Sequence, residues 1–183
     1  MERLVPAPLR LHATTVRAEW VDYNDHLSEW AYLLIFGDNA DAFFRYIGVD
    51  EAYRASGYSL YTAETYLRHV REVKLGQQLR LTLRVLGHDA KRVHVLHEMF
   101  APGVGCAATA EQMLLHVCTR SARVEPFGPE LRSRLSEIAV IHDRLLVPDF
   151  VGRPIRTLPA AGGRPAGAAA APREPSGASR CLL

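Results

Sequence analysis

The stretch VDYNDHLSEWAYLLIFGDNADAFFRYIG, residues 21–48, places two carboxylates, an amide and an imidazole directly ahead of an amphipathic repeat. From Trp30 onward Leu33, Leu34, Ala40, Phe43, Phe44 and Ile47 recur at three- and four-residue steps, and Gly48 follows as a C-terminal cap. The spacing predicts one helix over 28–47, about five turns long by the 3.6-residue period. Asp25 or Ser28 is placed to supply the N-cap oxygen. The apolar stripe is broad and rich in aromatics, which suits a helix wrapped by a sheet.

Working outward, the flanking segments have strand character: 12–19 before the helix, then 58–73, 78–86, 92–100 and 107–118 after it. In 78–86, Leu79, Leu81, Leu83 and Val85 alternate with Arg80, Thr82 and Arg84, so one face is expected to be buried and the other wet. Gly76, Gly87 and the Pro102-Gly103 pair mark hairpin turns, and the long segment 58–73 is expected to contain a bulge. A second helix is expected over 129–144, with Leu131, Leu135, Ile138 and Ile141 on one face to cover a sheet edge or an oligomer seam. Strand, long helix, then four strands gives an α+β architecture, one antiparallel sheet curled around a central helix.

With 183 residues, 48% of them hydrophobic and 23% charged, the chain is long enough for one domain with a real core. Residues 1–157 are assigned to that domain. Residues 158–183, dominated by Ala, Gly, Pro, Ser and Arg, bury too little to offset their ordering entropy and are expected to be disordered. A net charge of +2 without a run of like charges argues against nucleic-acid binding. No apolar run approaches the length of a membrane span, and the N-terminus MERLVPAPLR lacks the apolar core of a signal peptide. Cys106, Cys118 and Cys181 are odd in number and lack zinc spacing, which points to a reducing compartment, the cytoplasm, and to no structural metal. The terminal SRCLL has its cysteine third from the end, where prenylation needs it fourth.

The pattern V-D22-Y-N24-x-H26-x-x-x-x-Y32 opening the long helix, followed by a strand carrying T62-x-E64, resembles the hotdog-fold acyl-CoA thioesterases of the 4-hydroxybenzoyl-CoA thioesterase type, over roughly residues 10–125. Within that group W20-V-D22-Y-N24, Y61-T-x-E64, D89-x-K91-R92-x-H94 and E111-x-x-L-L-H116-V are most similar to the betainyl-CoA thioesterases of carnitine breakdown. Two positions depart: the family usually has glycine at Asp25 and asparagine at Ser28. The glycine would let the backbone approach the thioester, so Asp25 either alters the oxyanion contact or serves as the cap.

The resemblance implies a site. Asp22 would be the general base or nucleophile, with developing oxyanion charge received by the helix N-terminus; the competing reading is an Asx turn ahead of the helix. Glu64 would orient water, in some relatives across a dimer interface, or else is a solvent-facing strand residue. Asn24 and His26 would position the carbonyl or hold the loop, and His26 could also carry a proton. Lys91 and Arg92, with Arg68 and Arg71, are candidates for the CoA phosphates. A quaternary ammonium acyl group calls for aromatic faces, first among them Trp20, Tyr23 and Tyr61, with Trp30 and Tyr66 nearby. His94 and His97 lie three apart on a strand and point to opposite faces, and His116 is expected to be a packed histidine. No metal and no cofactor beyond the CoA of the substrate are expected, and the partner is a second copy of the chain, as a homodimer or homotetramer. The alternatives are a thioesterase for an aromatic or medium-chain acyl-CoA and a non-catalytic CoA-binding hotdog protein. The hydratase motif D-x-N-P-x-H is disfavoured, because D22-Y-N24-D25-H26 lacks its proline and is one residue shorter.

Overall fold

The computed structural model describes residues 5–153 and 155. Its elements run β1 (Leu9–Thr15), a 3-10 turn (Ala18–Trp20), α1 (Glu29–Ile47), α2 (Glu51–Ala55), β2 (Tyr58–His69), β3 (Gln78–His88), β4 (Arg92–Ala101), β5 (Gly105–Cys118), β6 (Arg123–Val124) and α3 (Pro129–His142). The strands form one antiparallel sheet in the order β1-β3-β4-β5-β2, with β6 on β5. The sheet curls around α1, as the order of elements predicted, and this is the hotdog architecture; the hairpin expected at Gly76 does not form, because β2 pairs with β5 at the sheet edge and the chain crosses over to reach β3. The expected tail 158–183 and its boundary lie outside the described residues.

Three expectations are corrected at their ends. The first strand stops at Thr15 and the chain then coils into the 3-10 turn, which carries Trp20 into the core. The long strand ends at His69 instead of residue 73, and its bulge falls between Thr62 and Glu64, where Ala63 faces no partner. Ser28 occupies the N-cap position of α1, yet neither it nor any other side chain caps the helix. Gly48 closes the other end at φ 98°, a conformation that favours glycine.

The inner face of β3 follows its alternation, with Leu79, Leu81, Leu83 and Val85 buried. Its outer face is not uniformly wet. Arg84 is buried there, donating to the Leu146 carbonyl at 2.6 Å and pairing with Glu98 at 3.4 Å.

The second helix covers a sheet edge in a literal sense. Leu131, Leu135 and Ile138 pack against Phe43, Ile47, Leu83 and Val85. At its end, His142 accepts from the Val85 backbone N–H at 2.9 Å and donates to the Pro6 carbonyl at 3.0 Å, filling the ladder position beyond the start of β1. Burial, with Arg84 adding to it, holds the His142 pKa below the usual histidine value, and burial drives that of His97 from 6.5 down to about 4. Both imidazoles are therefore neutral in the fold and must take up protons to unfold in acid. Stability is expected to be full above pH 6.5 and to fall as the pH drops toward 4, read as a decreasing urea midpoint across that window.

The segment after Val147 is a separate unit. It turns on itself, with the Val151 N–H donating to Pro148 O and Arg153 pairing with Asp149 at 3.3 Å.

Candidate active site

Residues 21–27 form a closed loop. Val21 bridges Leu27, the Asp22 N–H donates to the His26 carbonyl at 2.9 Å, and the Asp25 N–H donates to the Asp22 carbonyl at 3.1 Å. The Asp22 carboxylate accepts the Asn24 N–H at 2.8 Å, so the Asx turn forms. One carboxylate oxygen is thereby oriented, and the other is left for chemistry. Asp25 sits at φ 60°, which explains the glycine expected there: the turn needs left-handed backbone, and Asp is among the residues that tolerate it. Asp25→Gly is accordingly expected to keep stability within about 1 kcal/mol, whereas Asp25→Val should cost about 1–2 kcal/mol in urea unfolding.

The loop is anchored on both sides. Leu27 is buried and donates its N–H to Val73 O at 2.7 Å, and the Ser28 N–H donates to Trp20 O at 2.8 Å. No side chain caps α1, and although the Ala31 N–H donates to Ser28 O at 3.0 Å, the positive dipole end ahead of it stays open to a developing negative charge.

Beside this loop lies a cleft of about 350 Å³ lined by His26, Leu27, Glu29, Tyr32, His69, Arg71 and Glu72. His26 Nε2 meets Glu72 Oε2 at 3.2 Å. Tyr32 is buried and packs edge-on against His69, with ring centroids 4.7 Å apart. Burial raises the Tyr32 pKa, and the charges of Glu72 and Asp22 raise it further. The phenol therefore remains neutral, in the same cleft as the Glu72 carboxylate. Arg71 is partly engaged, donating to Val104 O at 3.0 Å.

Asp22, Asn24 and His26 are joined by the loop's own hydrogen bonds, but of the three only His26 lines the cleft, where Tyr32, His69 and Glu72 join it without having been assigned a role from sequence. Tyr32 closes the motif without a role of its own, and residues 69–72 fall within the segment 58–73 expected as strand, so nothing in the sequence marks their side chains as convergent.

The other candidates are placed elsewhere in the single chain. Glu64 is exposed and stands opposite Met113, itself opposite His94, in a row on the face turned away from α1. Five residues separate it from His69, roughly 17 Å along the strand. The solvent-facing reading holds for Glu64 within one chain. Tyr61 lies in a row with Leu115 and Arg92, whereas His69 is in a row with Ala108 and Met99. These rows are about 26 Å apart by strand rise. Arg92 is held by Asp89 at 2.7 Å, and the Lys91 side chain is exposed beside it. The Lys91 N–H first, then Arg92, hold the Asp89 pKa at about 2. Trp20 is a core residue with the Arg17 guanidinium 4.7 Å from its ring, so it is not an open aromatic wall. Tyr23, 94% exposed, projects from the loop into solvent.

The histidines divide as their spacing predicted. His97 faces α1, and His94 pairs with Glu111 at 2.7 Å on the other face. His116 is packed, accepting the Tyr53 hydroxyl at 2.7 Å and donating to Glu125 O at 2.8 Å. Among the described residues no three ligating side chains converge on a metal position, and no helix is long and apolar enough to cross a membrane.

A curled sheet around a central helix, with a carboxylate loop at that helix's open N-terminus, defines a class. The chain belongs to the thioesterase-like superfamily, whose profile matches residues 16–135. It is 45% identical over 149 residues to a betainyl-CoA thioesterase of Pseudomonas aeruginosa PAO1, covering 80% of this chain and 94% of that one. It is 47% identical over 147 residues to an L-carnitine dehydrogenase/betainyl-CoA thioesterase of Rhizobium meliloti strain 1021, where the match takes in 80% of this chain and 30% of that protein. The chain therefore spans only about a third of the length of that two-activity relative. The solved structure of the Staphylococcus aureus protein SAV2348 in complex with CoA has the same fold, with a TM-score of 0.77 at 23% identity over 85% of this chain and 99% of that one.

Proposed function

We propose that the protein is an acyl-CoA thioesterase whose preferred substrate is betainyl-CoA. The observation that carries the reading is Asp22, a half-buried carboxylate fixed by its own turn beside the uncapped N-terminus of α1. In this reading the thioester carbonyl points to the first-turn N–H groups, which receive the oxyanion. Asp22 then attacks the carbonyl carbon or takes the proton of the attacking water. His26, held by Glu72, and the neutral Tyr32 hydroxyl supply further donors. The likeness to the Pseudomonas aeruginosa enzyme supports the betainyl preference. The non-catalytic alternative rested on Asp25 and Ser28, and both residues meet the backbone demands of their positions.

In this reading a second chain completes the site. β2 is the outermost strand of the path, and residues 61–65 are exposed along it. Antiparallel pairing of two β2 edges about a two-fold axis would carry the partner's Tyr61 and Glu64 toward the cleft at His69, and the partner's Lys91 and Arg92 after them. A homodimer or larger assembly, resident in the cytoplasm, completes the reading. The test is thiol release from betainyl-, acetyl-, hexanoyl- and benzoyl-CoA, together with sedimentation. Faster cleavage of betainyl-CoA by a dimer or tetramer supports the proposal, and inertness toward every ester sinks it.

A further inference from the structure

The cleft beside the loop opens on the N-terminus of α1 itself. His26, Leu27 and Glu29 flank the N-cap, Tyr32 follows one turn into the helix, and His69, Arg71 and Glu72 come from the chain as it leaves β2. Glu29 is the first residue of α1 and Tyr32 stands three further on, so one side of the helix presents both to the cleft.

The charge of this cleft is one-sided. Its carboxylates, Glu29 and Glu72, are accompanied by the guanidinium of Arg71, which is turned toward the start of β5: Nη1 donates to Val104 O at 3.0 Å and to Cys106 O at 3.4 Å. Glu29 has a simple account, since a carboxylate in the first turn suits the helix dipole. Glu72 belongs to no helix. His26 Nε2 engages its Oε2 at 3.2 Å, and its side chain is otherwise 71% exposed. The His26 carbonyl in turn accepts the Asp22 N–H at 2.9 Å, so Glu72 is tied to the loop that carries Asp22. The Tyr32 pKa is raised first by burial, then by Glu72 and by Asp22, which means that both carboxylates act on the same phenol.

Substrate chemistry gives this arrangement a task. In a betainyl thioester the quaternary nitrogen lies two bonds from the carbonyl carbon, so its charge cannot leave the neighbourhood of the reacting group. The positive end of α1 that favours the oxyanion also repels a cation held so close to it. A carboxylate on the cleft wall offsets that repulsion. The aromatic residues expected for the cation do not stand there: Trp20 is in the core, Tyr23 is in solvent, and Tyr61 is at the far end of β2. Tyr32 and His69, edge-on with centroids 4.7 Å apart, do.

We propose that Glu72 is a specificity-determining residue that receives the quaternary ammonium of the acyl group in this cleft, with Tyr32 and His69 supplying carbon surface to its methyl groups. This assignment rests on the thioesterase reading above. A quaternary ammonium has no N–H to donate, so Glu72 attracts it through space while keeping its contact with His26.

The test compares kcat/KM for betainyl-CoA and for 3,3-dimethylbutyryl-CoA, in which carbon replaces the quaternary nitrogen and the shape is kept. Glu72→Gln retains an oxygen for His26 and loses the charge, whereas Glu72→Asp retains the charge. The ratio of betainyl to dimethylbutyryl turnover is expected to fall about fivefold in Glu72→Gln, the scale of a partly exposed ion pair, and to stay within about twofold of wild type in Glu72→Asp. Loss of His26 positioning alone would lower both substrates in equal proportion. A ratio unmoved in Glu72→Gln, or lowered as far in Glu72→Asp, therefore overturns the assignment. A wild type that cleaves the two esters alike overturns it while leaving the thioesterase reading intact. A wild type that cleaves no ester overturns both.

Discussion

Asp22→Asn is expected to lower kcat/KM for thioester hydrolysis by about 10²–10⁴-fold, the range for loss of a positioned base, while leaving the fold intact. The substitution is selective because the two roles of Asp22 separate on this residue. Its Oδ1 accepts the Asn24 N–H, which an asparagine oxygen can still do, so the turn survives. The negative charge is what disappears, and with it the capacity to attack or to take a proton. If Asp22 only shaped the loop, Asn would be nearly silent and Asp22→Ala would lose stability instead. Thiol release by both variants, with circular dichroism melts alongside, separates these outcomes.

Phe43→Ala should produce the largest loss of stability, about 3–5 kcal/mol. Phe43 is fully buried on α1 among Leu83, Leu114, Leu131 and Leu135. It therefore ties the central helix to the sheet and to α3 at once. Truncation removes the apolar area and leaves a void that three separate elements would have to move to close. Against a total stability of about 5–15 kcal/mol such a loss is decisive. A urea midpoint that shifts by less than the equivalent of 1 kcal/mol would show that the second cluster is loosely packed.

Much of the fold was legible because it depends on periods. The three- and four-residue steps of α1 and the alternation of β3 are local consequences of which side of an element is wet, so residues 28–47 and 78–86 read correctly to within a residue or two. The loop at Asp22 was legible through its motif. Arg84 broke its strand's pattern because the carboxylate and carbonyl that satisfy it, Glu98 and Leu146, come from distant parts of the chain. Tyr32, His69 and Glu72 were missed for the same reason: their convergence depends on where residues 69–74 cross the loop.

By itself, the sequence determined the two long helices, the main strands and their antiparallel class, and a carboxylate loop at the mouth of the central helix, because hydrophobic periodicity and turn chemistry are written residue by residue; it marked neither α2 nor β6, nor the pairing of β2 with β5. Only the tertiary structure decided which side chains meet. It seated Trp20 in the core, turned Glu64 away from α1, sent Tyr61 and Arg92 to the far end of the sheet, and stacked Asn39, His97 and Gln112 into one layer. Strand register and sheet curvature join residues that lie tens of positions apart in the chain, and no local pattern encodes that distance.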